Sequence, residues 1–477
     1  MTRISRSRRR LLASALLPLA LAACTVGHDY VRPDLPVPER FEEDGMVWTR
    51  TGPEPTEWYG EAWWQAWHDP DLNELQERAQ QANLSIAAAE AAWRQAQAAI
   101  GEARAAGRPQ VGMGVSQSRS ENTAAAQGLG ELGEGQVRQH ATAQATASWE
   151  LDLWGAVRRR AEAQSAQAEA SAQDLRAQRL SIAATVASTY LSLRQTEVQV
   201  ALLENQVDAN GRLLEMTERA NELGTASPND VVETRNALDS SIMGLEAATA
   251  ARARSLHALA ALTGQAPSSF VLAPRPEYGF EAPAPPAVMP VELLRRRPDV
   301  MAAEARVKAA NAQVGAAQAA YFPSLGLSAN DGYVGGSVDD LLDAPLRTWS
   351  LGAQLLGTVF DGGARRSQTA QTRAGYEATI AQYRQSVLGA LQETEDALSD
   401  YGYQERQAAY AARATFDRQE VWQRKQREQV LGTASERDVL VETLSMLDAQ
   451  QTALSAQGAL AQDAVALFKA VGGGWQE

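Results

Sequence analysis

Two stretches of the chain, 155–223 and 363–431, contain no proline and only a few glycines. Proline interrupts helix interiors, so its absence over so many residues predicts two continuous helices. At about 1.5 Å of rise per residue, each helix would be about 100 Å long. An ordinary globular domain has no room for such a helix, and this length is typical of coiled coils.

The long stretches belong to an internal duplication. The tetrapeptide Gly-Thr-Ala-Ser occurs at 224–227 and again 208 residues later at 432–435, and Asp-Val follows each copy at the same spacing. Several other features recur in the same order at nearly the same distance, which indicates two homologous halves. We place these halves at 71–264 and 298–471, joined by a proline-rich connector at 265–297.

Each half reads as a helix, a β-hairpin, a very long helix, a turn and a shorter helix. The shorter helix of the second half has apolar residues at steps of seven, the coiled-coil signature. The predicted segments are a signal peptide (1–23), an extended arm with an equatorial segment (24–70), hairpin 110–153, long helix 155–223, helix 228–262, hairpin 324–361, long helix 363–431, helix 437–470 and a tail (472–477). The Gly472–Gly474 run is interpreted as a flexible stop.

Residues 141–153 alternate between apolar and polar side chains without interruption. This period of two predicts a β-strand with one apolar and one polar face, as in lipid-facing barrel strands. The two hairpins supply four strands, with loops expected at 121–139 and 331–345. Four strands cannot close a barrel, and an open edge in lipid leaves backbone groups unpaired. A dimer would supply eight strands and a trimer twelve.

The N-terminus has the features of an export signal. Arginines precede a short apolar stretch, and Leu21-Ala22-Ala23-Cys24 resembles a bacterial lipobox. That resemblance implies cleavage before Cys24 and acylation of its new N-terminus. Cys24 is the only cysteine, and a buried structural thiol is the alternative. The remaining chain has no apolar stretch of about 18 residues, so no transmembrane helix is expected.

The composition argues against several classes of protein. The formal net charge is −14, and loss of the five arginines in residues 1–23 would make it −19, so nucleic-acid binding is not expected. Four scattered histidines and one cysteine form no pattern typical of a metal site or a catalytic site. We therefore expect no enzyme activity, no metal and no cofactor apart from a covalent lipid.

These motifs together resemble the outer-membrane efflux proteins, the TolC-like ducts, and most closely the lipoprotein branch that serves resistance-nodulation-division pumps. The resemblance covers nearly the whole mature chain. The residues that carry it are Gly27-His28-Asp29-Tyr30, Trp63-Trp64, Asp69-Pro70, Trp149 to Gly155, Leu262-Thr263-Gly264, Arg297-Pro298-Asp299-Val300, Phe322-Pro323-Ser324, Phe360 to Gly363 and Gly472 to Trp475.

The resemblance implies a mixed α and β membrane protein, built as a homotrimer with a twelve-strand outer-membrane barrel on a long coiled-coil periplasmic tunnel. It implies a passive duct, anchored by lipid in the cell outer membrane, that exports drugs or other small toxic compounds. The implied partners are a periplasmic adaptor (membrane fusion) protein and an inner-membrane resistance-nodulation-division transporter. A duct for type I protein secretion and a pore-free periplasmic coiled-coil scaffold are the alternatives.

The resemblance also implies site residues at the two helix turns. The turns at 224–229 and 432–437 would form the periplasmic tip that meets the adaptor, through Gly224, Thr225, Ser227, Gly432, Thr433 and Ser435. Asp438 matches an acidic ring that constricts the closed channel, whereas the second acidic position usual in the family is Val441 here. Asp438 could instead be a helix-start residue stabilised by the helix dipole, a role that its repeat copy Asp230 would share.

Overall fold

The computed structural model describes residues 25–35, 42–43, 46–47, 60–122, 136–283, 296–343 and 346–473. The predicted signal peptide, Cys24 and Gly474 lie outside these residues. The helices are α1 (Pro70–Ala82), α2 (Leu84–Ala105), α3 (Ala156–Glu222), α4 (Pro228–Leu262), α5 (Pro298–Ala319), α6 (Val338–Asp343), α7 (Ala364–Val430) and α8 (Glu436–Ala470). The strands are β1 (Glu42–Glu43), β2 (Met46–Val47), β3 (Gln110–Asn122), β4 (Gln136–Leu151), β5 (Ser324–Gly335) and β6 (Leu346–Leu356), and short 3-10 helices cover Gly60–Trp67 and Pro267–Ser269.

Two long helices of 67 residues each occupy the stretches that lack proline. They are α3 and α7, and each is followed by a turn and then by a helix of 35 residues. Among the described residues, no helix combines the length and apolar character needed to cross a membrane.

One compact unit comprises 1–34, 93–171 and 303–383, and it contains a four-stranded antiparallel sheet in the order β3-β4-β5-β6. The strands extend further than expected. Residues 117–122 pair with 136–141, and 331–335 pair with 141–145, although both regions include segments predicted as loop. These strand ends were not predicted, because residues 117–122 are all polar and show no alternation with apolar residues.

The register gives the sheet one polar face and one largely apolar face, which also carries the Asp331–Arg347 ion pair and the polar outer residues of β3. Val111, Ala147, Ala329 and Leu351 lie in one row of the apolar face, in the order β3, β4, β5 and β6. On the other face the neighbouring row holds Gly112, Thr146, Asn330 and Ser350. Strand β6 is exposed along its whole length, whereas α6 packs near the end of β5, where Asp340 approaches Gly335.

The second compact unit comprises 35–92, 172–302 and 384–477, and its long helical segments pack in the order α4-α3-α8-α7. Contacts between neighbours establish this order. Arg252 of α4 reaches Glu197 of α3 at 3.2 Å, and Gln462 of α8 donates to the Ser188 carbonyl of α3 at 2.9 Å. On the other side of α8, Thr415 of α7 donates to the Ala449 carbonyl at 3.0 Å.

Helices α8 and α4 differ in burial because of this order. The seven-residue column of α8, formed by Leu440, Leu447, Leu454, Ala461 and Phe468, is buried throughout, since α3 and α7 flank it. The corresponding column of α4 is only partly buried, and Leu259 is its one fully buried member. Among the described residues, α4 contacts α3 along its length and the α1–α2 junction at its end, where Asn83 donates to the Leu262 carbonyl at 2.9 Å. We call α4 and α7 the edge helices, because they stand at the two ends of this order.

Two local predictions differ from the structure. The single helix expected before the first hairpin is two helices, because Asn83 has an extended backbone and its Oδ1 accepts from the amides of Ser85 and Ile86. That side chain starts α2 as an N-cap, which ends α1 one residue earlier. Gly472 and Gly473 are a helix cap rather than a flexible stop, because Gly473 N donates to the Phe468 carbonyl at 2.8 Å.

Candidate functional site

The two turns that were expected to form a tip share one backbone structure. Gly224 and Gly432 end α3 and α7 with φ angles of +73° and +75°, in the left-handed region that favours glycine. Thr225 N donates to the Ala220 carbonyl at 2.8 Å, and Thr433 N donates to the Glu428 carbonyl at 2.9 Å. This Schellman arrangement satisfies the last carbonyls of each long helix and reverses the chain tightly.

The threonine side chains complete the same turns. Thr225 Oγ1 donates to the Ala220 carbonyl at 2.9 Å, and Thr433 Oγ1 donates to the Glu428 carbonyl at 3.1 Å. Both residues are exposed, and no atom beyond their own neighbours lies within 4 Å of a side chain built at either turn glycine. In this chain each turn therefore presents a rigid, uncovered surface.

Serine and aspartate start the helices that leave the turns. Ser227 Oγ accepts from Asp230 N, and Asp230 Oδ2 accepts from Ser227 N at 2.8 Å, which is a reciprocal capping box. Ser435 and Asp438 repeat this arrangement, with Ser435 N donating to Asp438 Oδ2 at 2.9 Å. Asp438 therefore has the helix-start role that was its alternative interpretation, and Asp230 shares it.

The same hydrogen bonds hold the pKa of both aspartates below the ordinary 3.8, because the serine amide favours the charged carboxylate. A lowered pKa in the folded state adds stability at neutral pH, and this is lost only as the pH falls through the folded value. Both carboxylates are fully exposed, so they remain charged at neutral pH.

The helices behind the two turns carry different ion pairs. Behind the second turn, Lys425 Nζ lies 2.7 Å from Glu428 Oε2, and Arg418 Nη1 lies 3.5 Å from Glu442 Oε1. Behind the first turn, Arg235 pairs with Glu218 at 2.8 Å. The Glu442 side chain is only 18% exposed and faces α7, so it does not replace an acid at the exposed position of Val441.

A buried polar cluster in the second unit was not predicted from the sequence. The Arg194 side chain is fully buried and donates to Glu197 Oε2 at 2.7 Å, to the Ala273 carbonyl at 2.9 Å and to Asp71 Oδ2 at 3.0 Å. Glu197 also accepts from Arg252 and from Arg275 N. The cluster ties the connector and the start of α1 to the middle of α3.

A second part of the cluster surrounds the N-cap of α1. Tyr190 donates to Asp69 Oδ2 at 2.7 Å, and Arg275 Nη1 lies 3.1 Å from the same oxygen. Burial raises the pKa of Tyr190, so its hydroxyl stays protonated as a donor. The signal for this cluster in the sequence was Arg252, a charge that interrupts an apolar column.

No grouping of acidic, histidine or cysteine side chains suited to a metal ion occurs among the described residues. The candidate functional surfaces are the exposed helix turns and the two-faced sheet.

Comparison of this fold with solved structures identifies its class. The outer-membrane channel OprN superposes on it with a TM-score of 0.83 at 29% sequence identity, over 95% of this chain and 100% of OprN. The open-state MtrE outer-membrane channel of Neisseria gonorrhoeae gives a TM-score of 0.78 at 25% identity, over 94% and 98% of the two chains. The fold is that of a TolC-like outer-membrane channel.

The chain belongs to the outer membrane efflux protein family, whose model matches residues 75–265 and 289–473. It is 29% identical to the probable efflux pump outer membrane protein TtgC of Pseudomonas putida, over 98% of this chain and 96% of that protein. It is therefore the outer-membrane duct of a tripartite efflux pump. This assignment supports the efflux duct over the secretion duct and over the pore-free scaffold.

Proposed function

We propose that three copies of this chain form a closed twelve-strand barrel, lipid-anchored in the outer membrane through Cys24, on a twelve-helix periplasmic tunnel. The observation that carries the proposal is the sheet with two unpaired edges, β3 and β6, and one apolar face. In lipid each unpaired backbone group costs several kcal/mol, so β6 of one copy must pair with β3 of the next.

The two faces of the sheet support this orientation in the membrane. The apolar face runs on β4 from Leu151 to Ala143, which is about 27 Å of strand at about 3.4 Å per residue. At the usual strand tilt of about 35–45°, this length covers about 20 Å of the apolar band of an outer-membrane barrel, which is about 25 Å tall. Trp349 and Tyr333 lie on this face towards one end and Trp149 lies towards the other, in keeping with aromatic girdles at the two interfaces.

The helical unit supports the same trimer. Its edge helices expose large apolar side chains, which are Ile242 and Met243 on α4 and Tyr410 and Phe416 on α7. Contact between α7 of one copy and α4 of the next would cover them. The edge strands and the edge helices would therefore both be covered by a neighbouring copy. A trimer would supply twelve strands and twelve helices.

We expect native mass spectrometry of the detergent-solubilised protein to give a trimer. Replacing Met243 with arginine on the α4 edge should shift the population towards monomers, because it puts a charge into the apolar contact. Ala237→Arg, at an exposed position about 120° around the same helix from Met243, is the matched control and should leave the trimer intact. A monomeric parent protein that retains its β-structure would contradict the shared barrel.

The proposed partners are a periplasmic adaptor protein and an inner-membrane resistance-nodulation-division transporter, with drugs or other small toxic compounds as cargo. TtgC of another P. putida strain is named a toluene efflux pump protein, and OpmQ of Pseudomonas aeruginosa is named for pyoverdine export. We propose that the adaptor docks on the two turns, because both are rigid, exposed and built alike.

Replacing Thr225 and Thr433 with glutamate is expected to weaken efflux several-fold without lowering the yield of trimer. The bulky charges would obstruct docking, whereas each lost threonine contact costs only one exposed hydrogen bond. Efflux is measured as drug tolerance in a strain that lacks its own outer-membrane duct, together with cross-linking to the adaptor. Unchanged tolerance and unchanged cross-linking would show that docking lies elsewhere.

We propose that Asp438 also constricts the resting channel as an acidic ring of three copies, in addition to capping α8. Asp438→Ala should then reduce cation preference and block by multivalent cations in planar bilayers. Asp230→Ala is the matched control, because it removes an equivalent capping box. Both variants should be slightly and equally destabilised. Equal effects of the two substitutions on ion selectivity would leave Asp438 with the capping role alone.

A further inference from the structure

Residues 25–32, which we call the docking segment, lie in the first unit against three of its helices. Val26 N donates to the Trp154 carbonyl at 3.1 Å. A Cβ atom on Gly155 would come within 2.7 Å of the Thr25 side chain, so the backbone there accepts Thr25 only because residue 155 is glycine. The start of the segment is thus packed on the junction between β4 and α3.

Arg159 holds this start in place. Its side chain is 5% exposed and donates to the Val26 carbonyl, to the Gly27 carbonyl and to Asp29 Oδ1, at 3.2, 3.2 and 3.0 Å. Gly27 has a φ of +99°, and a Cβ there would come within 2.8 Å of the Gly315 Cα. A buried guanidinium and a glycine that admits no side chain therefore fix the backbone of residues 26–29.

Glu304 holds the other end of the segment. Arg32 Nη2 lies 2.9 Å from Glu304 Oε2, and Tyr30 donates to Glu304 Oε1 at 3.4 Å. Arg32 also donates to the Tyr383 hydroxyl at 3.3 Å, and Asn311 donates to the His28 carbonyl at 3.0 Å. These contacts attach the segment to α5 and α7 as well as to α3.

The attachment point lies among aromatic residues at the base of the sheet. Trp154 stacks on Phe322 with ring centroids 4.8 Å apart, and its Nε1 donates to the Pro323 carbonyl at 2.7 Å. Phe322 and Phe360 are 43% and 87% exposed. Amphipathic aromatic layers of this kind favour the boundary between membrane and water. Trp154 thus joins the bases of both hairpins where Val26 docks.

We propose that the docking segment is a positioning device that fixes the chain's N-terminal end in the plane of this aromatic layer. The inference rests on the proposed lipid anchor at Cys24, the residue that precedes Thr25 in the chain. Consecutive Cα atoms are about 3.8 Å apart, so acyl chains on that residue enter the leaflet beside the barrel. The lipid and the barrel then bind the membrane as linked groups, because insertion of one holds the other next to the bilayer.

The test places a fluorophore on the exposed His28 position, as His28→Cys in a Cys24→Ser background that has no other thiol. In proteoliposomes of phosphatidylethanolamine and phosphatidylglycerol, the probe should be quenched by lipids with a nitroxide near the headgroup and little by aqueous iodide. Arg159→Met should raise iodide quenching at least threefold and remove the dependence on nitroxide depth. Arg160→Met, the exposed neighbour on the same helix, should leave both unchanged.

Two further measurements keep the outcomes separate. If Arg159→Met does not assemble, Glu304→Gln frees the other end of the segment and should increase chymotrypsin cleavage after Tyr30, which donates to Glu304 in the parent protein. An iodide-accessible probe in the parent protein, or equal quenching in parent and Arg159→Met, would overturn the inference. Mass spectrometry of the N-terminal peptide of the unaltered protein tests acylation of Cys24 by itself, so an unmodified thiol would remove the lipid while leaving the docking result intact.

Discussion

Replacing Arg194 with leucine is expected to lower the free energy of unfolding by about 3 kcal/mol, the lower end for breaking a buried ion pair, because Glu197 keeps Arg252 and the Arg275 amide as partners. Glu197, with a side chain only 2% exposed, would lose its shortest contact. The Ala273 carbonyl and Asp71 would lose a donor as well. The measurement is urea unfolding of the purified protein, followed by Trp fluorescence and by loss of trimer.

Arg212→Ala is the matched control for this prediction. Arg212 lies on the same helix and pairs with Asp208 at 3.2 Å, but its side chain is 59% exposed. Exposed pairs of this kind contribute about 0.3–0.5 kcal/mol. Adding Glu197→Leu to Arg194→Leu should recover part of the loss, since it removes the buried carboxylate that has lost its fully buried partner. Equal urea midpoints of unfolding for Arg194→Leu and Arg212→Ala would contradict the stabilising role of the buried cluster around Arg194.

Replacing Gly332 with valine is expected to prevent assembly of the sheet. A Cβ atom there would lie 2.4 Å from the Ala143 carbonyl oxygen and 2.6 Å from the Gln144 Cα, which are backbone atoms that cannot turn away. Overpacking in a well-packed site costs about 1–3 kcal/mol, and a clash with backbone lies at the upper end. Heat-resistant trimer on a semi-native gel should fall to a small fraction of the parent yield.

Gly114→Val provides the comparison, because Gly114 lies on the same polar face and has no atom within 4 Å of a built Cβ. This variant should assemble with nearly parental yield, since valine is also favoured in strands. A normal yield of trimer for Gly332→Val would show that β4 and β5 can separate there without loss of the sheet.

The large elements could be predicted because their signals are periodic and local. The absence of proline located α3 and α7, the alternation at 141–153 located β4, and steps of seven located the buried face of α8. Each pattern reports which side of one element is buried, and neighbouring residues alone determine it. The common backbone of the two turns also followed from a local repeat of four residues.

The cluster around Arg194 could not be predicted, because its members are distant in sequence. Asp71, Glu197 and Arg275 meet only after α1, α3 and the connector have packed together. The break at Asn83 was missed for a different reason, since an asparagine inside a helical pattern gives a weak signal until its side chain is seen to cap α2. The capping role of Asp438 was foreseen as an alternative, and its place in a constriction stays a prediction.

The polar face of the sheet is lined largely by residues with little or no side chain. Most of its positions are serine, threonine, asparagine, glutamine or glycine. The five glycines are Gly112, Gly114, Gly326, Gly332 and Gly352. The peptide groups of the strands already bond to one another, so in the proposed barrel this face would offer a passing molecule few groups to bind. Weak binding and short residence times favour a channel that exports chemically different compounds. Selection of those compounds then rests with the upstream components of the pump.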